Sequence, residues 1–169
     1  SMPGVDSLRH RWPVVVFFLT AVLVVIADQF TKLWIRTFPE GQPIFEAGFF
    51  QIVRNQNTGA AFGLFQGQSL ALTIVDFSGI AIILVLILRF SHHFAILEKA
   101  VTRIALALVM GGTAGNLIDR LNPSLGGVTD FISLGIWPSF NLADSAITVG
   151  VILLAYSLIF LTRPKRVEG

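Results

Sequence analysis

Six polar residues in one stretch have the types and spacing to do chemistry: Asn116, Asp119, Arg120, Asp130, Asn141 and Asp144. The stretch runs from Gly111 to Asp144, beginning inside one apolar run and ending inside another. Polar groups at the edge of hydrocarbon are costly to desolvate, and carboxylates there are functional by default. Asp130 and Asp144 read as an acid and a base. Two neighbouring carboxyls cannot both ionise cheaply, so one keeps a proton while the other accepts one. Such a pair can take a proton from water and give one to a carbonyl oxygen or leaving amine, which suffices to hydrolyse a peptide bond. Asp144 sits in the first turn of a helix, where the dipole favours the charged form, and reads as the more acidic partner. Purely structural readings stand beside these. Asn141 with Asp144 fits a helix-start cap, Asp130 a cap of the turn Thr-Asp-Phe, and Asp119-Arg120 an interfacial ion pair.

The elements that must position these residues follow from composition. The 169 residues are 54% hydrophobic and 13% charged, with mean hydropathy +0.76. A soluble domain would carry about a quarter charged residues. The expected architecture is therefore an all-α membrane bundle, in one domain over residues 1–169, with spans over 12–35, 70–88, 100–118 and 140–161. Ser1-Met2 reads as an expression scar. The basic start before the first run resembles a signal peptide, but no small-x-small site closes it and the helical pattern continues to about Ile35. Asp28 and Lys32, four apart, share a helix face and read as a structural ion pair. Asp76 lies inside the second span, with no role assigned beyond a bond to a neighbouring helix.

Residues 38–68 are rich in Gly, Pro and Phe, with a β-like run over 49–54. They read as a small sheet with an amphipathic segment over 60–65 at the bilayer surface. Within them, Asn57-Thr-Gly59-Ala-Ala-Phe combines an amide with small residues that admit close backbone approach.

Four spans put both termini on one side. Eight of the twelve Lys and Arg fall there (Arg9, Arg11, Arg89, Lys99, Arg103, Arg163, Lys165 and Arg166), which places the termini in the cytoplasm. The Asn57 loop and the Asp130–Asp144 connection then lie at the outer face. The pI near 9.5 does not point to nucleic acid, because the basic residues sit at the ends of apolar runs. His10, His92 and His93 fall on the inner side, Cys is absent and no HExxH occurs, so the outer face holds carboxylates, amides and Arg120.

In order along the chain, Gly-Asn-Leu-Ile-Asp-Arg (115–120), Val-Thr-Asp-Phe (128–131) and Phe-Asn-Leu-Ala-Asp (140–144) resemble the signature of bacterial lipoprotein signal peptidase, signal peptidase II. Asn-Thr-Gly-Ala-Ala-Phe (57–62) and Asp28…Lys32 match its earlier motifs. The resemblance covers nearly the whole chain. It implies an aspartyl endopeptidase of the bacterial cytoplasmic membrane, with four transmembrane helices and a small extracytoplasmic sheet that cradles substrate. The substrate would be a prolipoprotein cut just before a diacylglyceryl-modified Cys. Asp130 and Asp144 match the catalytic dyad; Asn57, Gly59, Asn116, Asp119, Arg120 and Asn141 match residues that hold substrate or support the dyad. Asp28 and Lys32 match a pair that stabilises the enzyme. No metal or other cofactor is expected. The expected partners are the prolipoprotein, membrane lipids and globomycin-like cyclic peptides that occupy the dyad, and the expected state is a monomer. The segment from Asp130 to Asp144 is short for the family, which leaves open how the fourth helix starts.

Two other classes use membrane carboxylates. An ion-coupled transporter would show internal repeats and midplane charge between broken helices, whereas here no repeat is found and the acids cluster at one face. A binding-only adaptor would tolerate Asn at both positions 130 and 144.

Overall fold

A chain in hydrocarbon must satisfy its own backbone groups, and each of the four apolar runs does so as one long helix. The computed structural model describes residues 3–59 and 68–162. Along them run α1 (Pro3–Ile35), β1 (Pro43–Ala47), β2 (Phe50–Asn57), α2 (Gln68–Arg89), the short α3 (Ala95–Glu98) and α4 (Ala100–Arg120). Then follow a 3-10 turn (Pro123–Leu125), β3 (Val128–Leu134), β4 (Trp137–Phe140) and α5 (Leu142–Leu161). The membrane-capable segments are Trp12–Ile35, Leu70–Arg89, Ala100–Arg120 and Leu142–Leu161, within a few residues of the expected spans. The amphipathic segment expected over 60–65 lies outside the described residues.

The helix with the lowest hydropathy is the central one. The α4 span is the least apolar of the four, yet more than half of it is buried, against about a sixth or less of each of the others. The reason is its small residues, which let neighbouring backbones approach. A Cβ on Gly111 would come within 2.7 Å of the Ala21 carbonyl of α1, and one on Gly112 would strike the Ala143 carbonyl of α5. From the facing side, Gly150 of α5 lies against the Ala105 carbonyl of α4. Away from the site, Phe17, Ala21, Ile83, Ile87, Leu97, Leu106 and Ala107 join α1 to α4 in one apolar cluster.

The sheet differs from expectation in one respect. It is a four-stranded antiparallel sheet in the order β1-β2-β3-β4, and two of its strands, β3 and β4, lie in the stretch over 128–140 that leads from α4 to α5. Asp130 is therefore not in a loop or a turn cap: it sits in β3, opposite Asn55 of β2. The run Val-Thr-Asp-Phe-Ile-Ser-Leu is β-prone, but its first four residues are all buried, so it lacks the alternation that marks a half-exposed strand. Gly135, with φ of 55°, closes the β3–β4 hairpin. The hairpin then delivers the chain directly to Asn141, the N-cap of α5, which settles how the fourth helix starts.

Candidate active site

The scaffold of the site is one face of α1. Asp28, Lys32 and Arg36 lie four residues apart and so share it. Asp28 and Lys32 are fully buried, with Lys32 Nζ 2.8 Å from Asp28 Oδ2, and Nζ also lies 3.4 Å from Asp119 Oδ2 of α4. Arg36 Nη2 is 2.8 Å from the other Asp119 oxygen, and Arg36 Nε donates to Thr129 Oγ1 at 2.8 Å. Two cations thus meet two carboxylates, the pairing that a buried charge requires. The remaining lone pairs tie in the other elements. Ala143 N, an orphan donor at the start of α5, donates to Asp28 Oδ1 at 3.0 Å, and Thr129 N donates to Asp119 Oδ2 at 3.0 Å. Gln29 Nε2 donates to Asp119 Oδ1 at 3.1 Å and to the Gly115 carbonyl at 3.0 Å. A Cβ at Gly115 would come within 2.5 Å of Asp28 Oδ2, so only glycine admits this approach.

In front of the scaffold, three asparagines hold the two remaining aspartates. Asp130 is 2% exposed. Its Oδ1 accepts from Asn141 Nδ2 at 2.8 Å and its Oδ2 from Asn57 Nδ2 at 3.0 Å. The Asn57 amide is oriented by Gly59, whose N–H donates to Asn57 Oδ1 at 3.0 Å. Half-buried Asp144 forms a capping box with Asn141: Asp144 N donates to Asn141 Oδ1 at 2.9 Å, and Asn141 N to Asp144 Oδ2 at 3.1 Å. Asn116 Nδ2 donates to the other oxygen, Asp144 Oδ1, at 2.8 Å. The helix-start cap and the polar cluster are thus the same group of atoms. Each of the four carboxylate oxygens accepts one amide hydrogen bond and keeps a lone pair for a further proton or water.

Burial pushes the Asp130 carboxyl up to about 6, and the nearby Asp144 charge adds to this against the opposing hydrogen bonds from Asn57 and Asn141. Asp130 therefore holds its proton above the usual carboxylate range.

Arg120 stands apart. Its Nη1 pairs with Asp76, inside α2, and not with the adjacent Asp119. That gives Asp76 the interhelical bond expected of it, and ties α2 to the end of α4. Removing either partner leaves a largely buried charge alone, so Asp76→Ala or Arg120→Ala should each lower stability by about 1–3 kcal/mol. A double-mutant cycle read by thermal unfolding should assign most of that loss to the pair. Among the residues that organise the site, Gln29, Arg36 and Thr129 carry no assignment from the sequence. For Arg36 a signal exists, as it continues the Asp28–Lys32 face by one turn.

A family model for signal peptidase (SPase) II matches residues 20–160. The chain belongs to the signal peptidase II family. A lipoprotein signal peptidase of Dehalococcoides mccartyi (strain ATCC BAA-2266 / KCTC 15142 / 195) is 44% identical over 149 residues, covering 87% of this chain and 89% of that protein. One of Moorella thermoacetica is 40% identical over 145 residues, covering 85% and 92%. Among solved structures, a bacterial membrane enzyme at 2.3 Å resolution superposes with a TM-score of 0.76 at 31% identity, covering 91% of this chain and 93% of that one. This signal peptidase II family member is a multi-pass membrane protein, and the paired, amide-clamped aspartates lie where its central helix meets its sheet.

Proposed function

We propose that the protein is an aspartyl endopeptidase that removes the signal peptide of diacylglyceryl-modified prolipoproteins, cutting before the lipidated Cys. The observation that carries the mechanism is the clamp on Asp130 and Asp144: four carboxylate oxygens, each fixed by one donated bond, on a pair in which Asp130 retains a proton up to about pH 6. The relatives named lipoprotein signal peptidase support the substrate. In this reading Asp144 takes a proton from water as the oxygen attacks the scissile carbonyl carbon, and protonated Asp130 gives its proton to the carbonyl oxygen. The gem-diol collapses as Asp144 passes its proton to the amide nitrogen and a diol hydroxyl returns one to Asp130. The C–N bond breaks, acid and amine leave, and the pair is reset.

A groove of about 500 Å³ lined by Leu134, Trp137, Phe140, Asp144, Ser145, Thr148 and Val149 opens beside Asp144 along the exposed side of α5. A lipid-bearing substrate can reach the pair sideways through it, as a two-chain lipid must if its tails stay in the bilayer. We place the termini in the cytoplasm and the site at the outer face of the bacterial cytoplasmic membrane, from the distribution of basic residues. Globomycin-like cyclic peptides would compete for the same groove.

The test is cleavage of a diacylglyceryl-modified prolipoprotein by purified protein in detergent. No cleavage by folded protein overturns the reading. The pair must be singly protonated to act, so kcat/KM, which reports the free enzyme, should fall as pH rises through about 6, the value for Asp130. A pH profile of initial rates checks this; a rate still climbing well above that value would remove Asp130 as the acid.

A further inference from the structure

We infer that Lys32 is a positioning residue for the reaction: by donating to Asn116 Oδ1 it decides which edge of that amide faces Asp144. The inference rests on the dyad reading above and gives the buried lysine a task beyond its ion pairs.

The argument is one of hydrogen-bond direction. An ammonium has donors and no acceptor, whereas an amide side chain has one edge of each kind. Lys32 Nζ lies 3.0 Å from Asn116 Oδ1, so the acceptor edge of Asn116 must face α1. From the other side Asn141 Nδ2 donates to the same oxygen at 3.0 Å. With Oδ1 claimed twice, Nδ2 is left to point at Asp144 Oδ1, 2.8 Å away. Asn116 is 3% exposed, so solvent offers it little alternative. The polarity carries on through Asn141, whose Nδ2 reaches both Asn116 Oδ1 and Asp130 Oδ1 while its Oδ1 accepts from Asp144 N. The Asp144 backbone N–H fixes the direction of Asn141, and the buried ammonium adds the second donor that holds Asn116 Nδ2 toward Asp144.

Charge neutralisation alone does not require this arrangement, because Asp28 and Asp119 already flank Lys32. What Asn116 adds is direction. With the Lys32 donor gone, Asn116 Oδ1 keeps only the Asn141 donor, and the amide is held less firmly against turning over to present its oxygen to Asp144. Two acceptors facing one another are tolerable only with a proton between them, so Asp144 would hold a proton where the reaction needs a base. The charged groups around Asp144 on neighbouring elements are Asp28 and Lys32 on α1, Asp76 on α2, Asp119 and Arg120 on α4, and Asp130 on β3. Exchanging Asp28 for Asn and Lys32 for Met together keeps the sum of these charges, leaves an oxygen at position 28 for Ala143 N, and removes the donor to Asn116.

The experiment measures the pH dependence of kcat/KM on a diacylglyceryl-modified prolipoprotein for wild type, Asn116→Asp and the double variant Asp28→Asn/Lys32→Met, each checked by thermal unfolding. In both variants the acidic limb should move up by about one pH unit or more, with kcat lowered throughout. Folded variants whose acidic limb stays at the wild-type position, with only the amount of active enzyme reduced, would overturn the inference. Asn116→Asp leaves the ion pairs of Lys32 in place but adds a charge beside Asp144, so support for the inference is read from the charge-balanced double variant. An unmoved limb in Asn116→Asp overturns it even if the double variant does not fold. Asp130→Asn and Asp144→Asn run alongside. If both are inactive and no limb moves, only the role of Lys32 fails; if Asp144→Asn cleaves at the wild-type rate, the dyad reading and this inference fall together.

Discussion

Asp130→Asn and Asp144→Asn should each reduce prolipoprotein cleavage by about 10²- to 10⁴-fold or more, with a chelator present throughout. The two substitutions should nevertheless differ in their effect on stability, and that difference separates lost chemistry from lost fold. Asp130 has its folded value raised from 3.8 to about 6 by burial. A carboxyl raised in this way contributes stability that is fully present below its unfolded value and lost as pH rises through its folded one. Above about pH 6 the ionised, buried carboxylate therefore weighs against folding, by up to about 3 kcal/mol. The amide introduced by Asp130→Asn would carry no such burden while retaining an oxygen able to accept from Asn57 or Asn141. Asp130→Asn should thus melt higher than wild type at alkaline pH and lose that advantage near pH 4. An inactive enzyme that is more stable than its parent is the expected mark of a group kept for chemistry. A binding-only protein would instead keep its function in both variants, and cleavage at the wild-type rate by either would remove that residue from the reaction.

Gly112→Val is expected to have the second largest effect, although Gly112 touches no substrate. A Cβ there would strike the Ala143 carbonyl and come within 2.8 Å of Ile147 Cγ1. The first of these is backbone and cannot step aside, so α5 must move away from α4. Overpacking of this kind costs about 1–3 kcal/mol. The effect on activity should be greater than the loss of stability suggests. Ala143 lies between Asn141 and Asp144, and its N–H is bonded to Asp28. Displacing it draws the cap away from Asn116 and changes the spacing of the two aspartates. A shift of about 1 Å at reacting groups can cost on the order of 10²-fold in rate. Thermal unfolding in detergent, followed by turnover of the remaining folded protein, checks both parts. Full turnover in Gly112→Val would show that the seam between α4 and α5 does not set the geometry of the pair.

The helices are legible because hydrocarbon imposes a simple rule: long apolar runs, with charge at their ends. Asp28 with Lys32 and Asn141 with Asp144 are legible because helical spacing places them together. The sheet is half legible. Phe50–Asn57 overlaps the β-like run over 49–54 and is flagged by its aromatic and β-branched residues, but Val128–Leu134 is buried along its first four residues and reads as one more apolar fragment. With β3 hidden in this way, Asp130 reads as a loop residue, and a link to Asn57 comes only through the family resemblance. Arg120 misleads for a different reason. Its nearest carboxylate in sequence is Asp119, yet adjacent helical residues point apart, and Asp76 is 44 residues away on another helix. Pairings across such distances leave no periodic trace in one sequence.

The Asp28–Lys32 pair also bears on how the protein is made. Synthesis runs from the N-terminus, so α1 must enter the bilayer before Asn116 and Asp119 exist to receive its lysine. A lone lysine or aspartate at helix depth is resisted by about 3 kcal/mol during insertion. Placed four residues apart on one helix, the two neutralise each other with nothing else present, and α1 can be handed to the lipid as an electrically balanced segment. When α4 arrives, it finds the ammonium already standing and has only to bring its amide and carboxylate up to it. The order of the genetic message and the order of assembly of the site are thereby reconciled by one turn of helix.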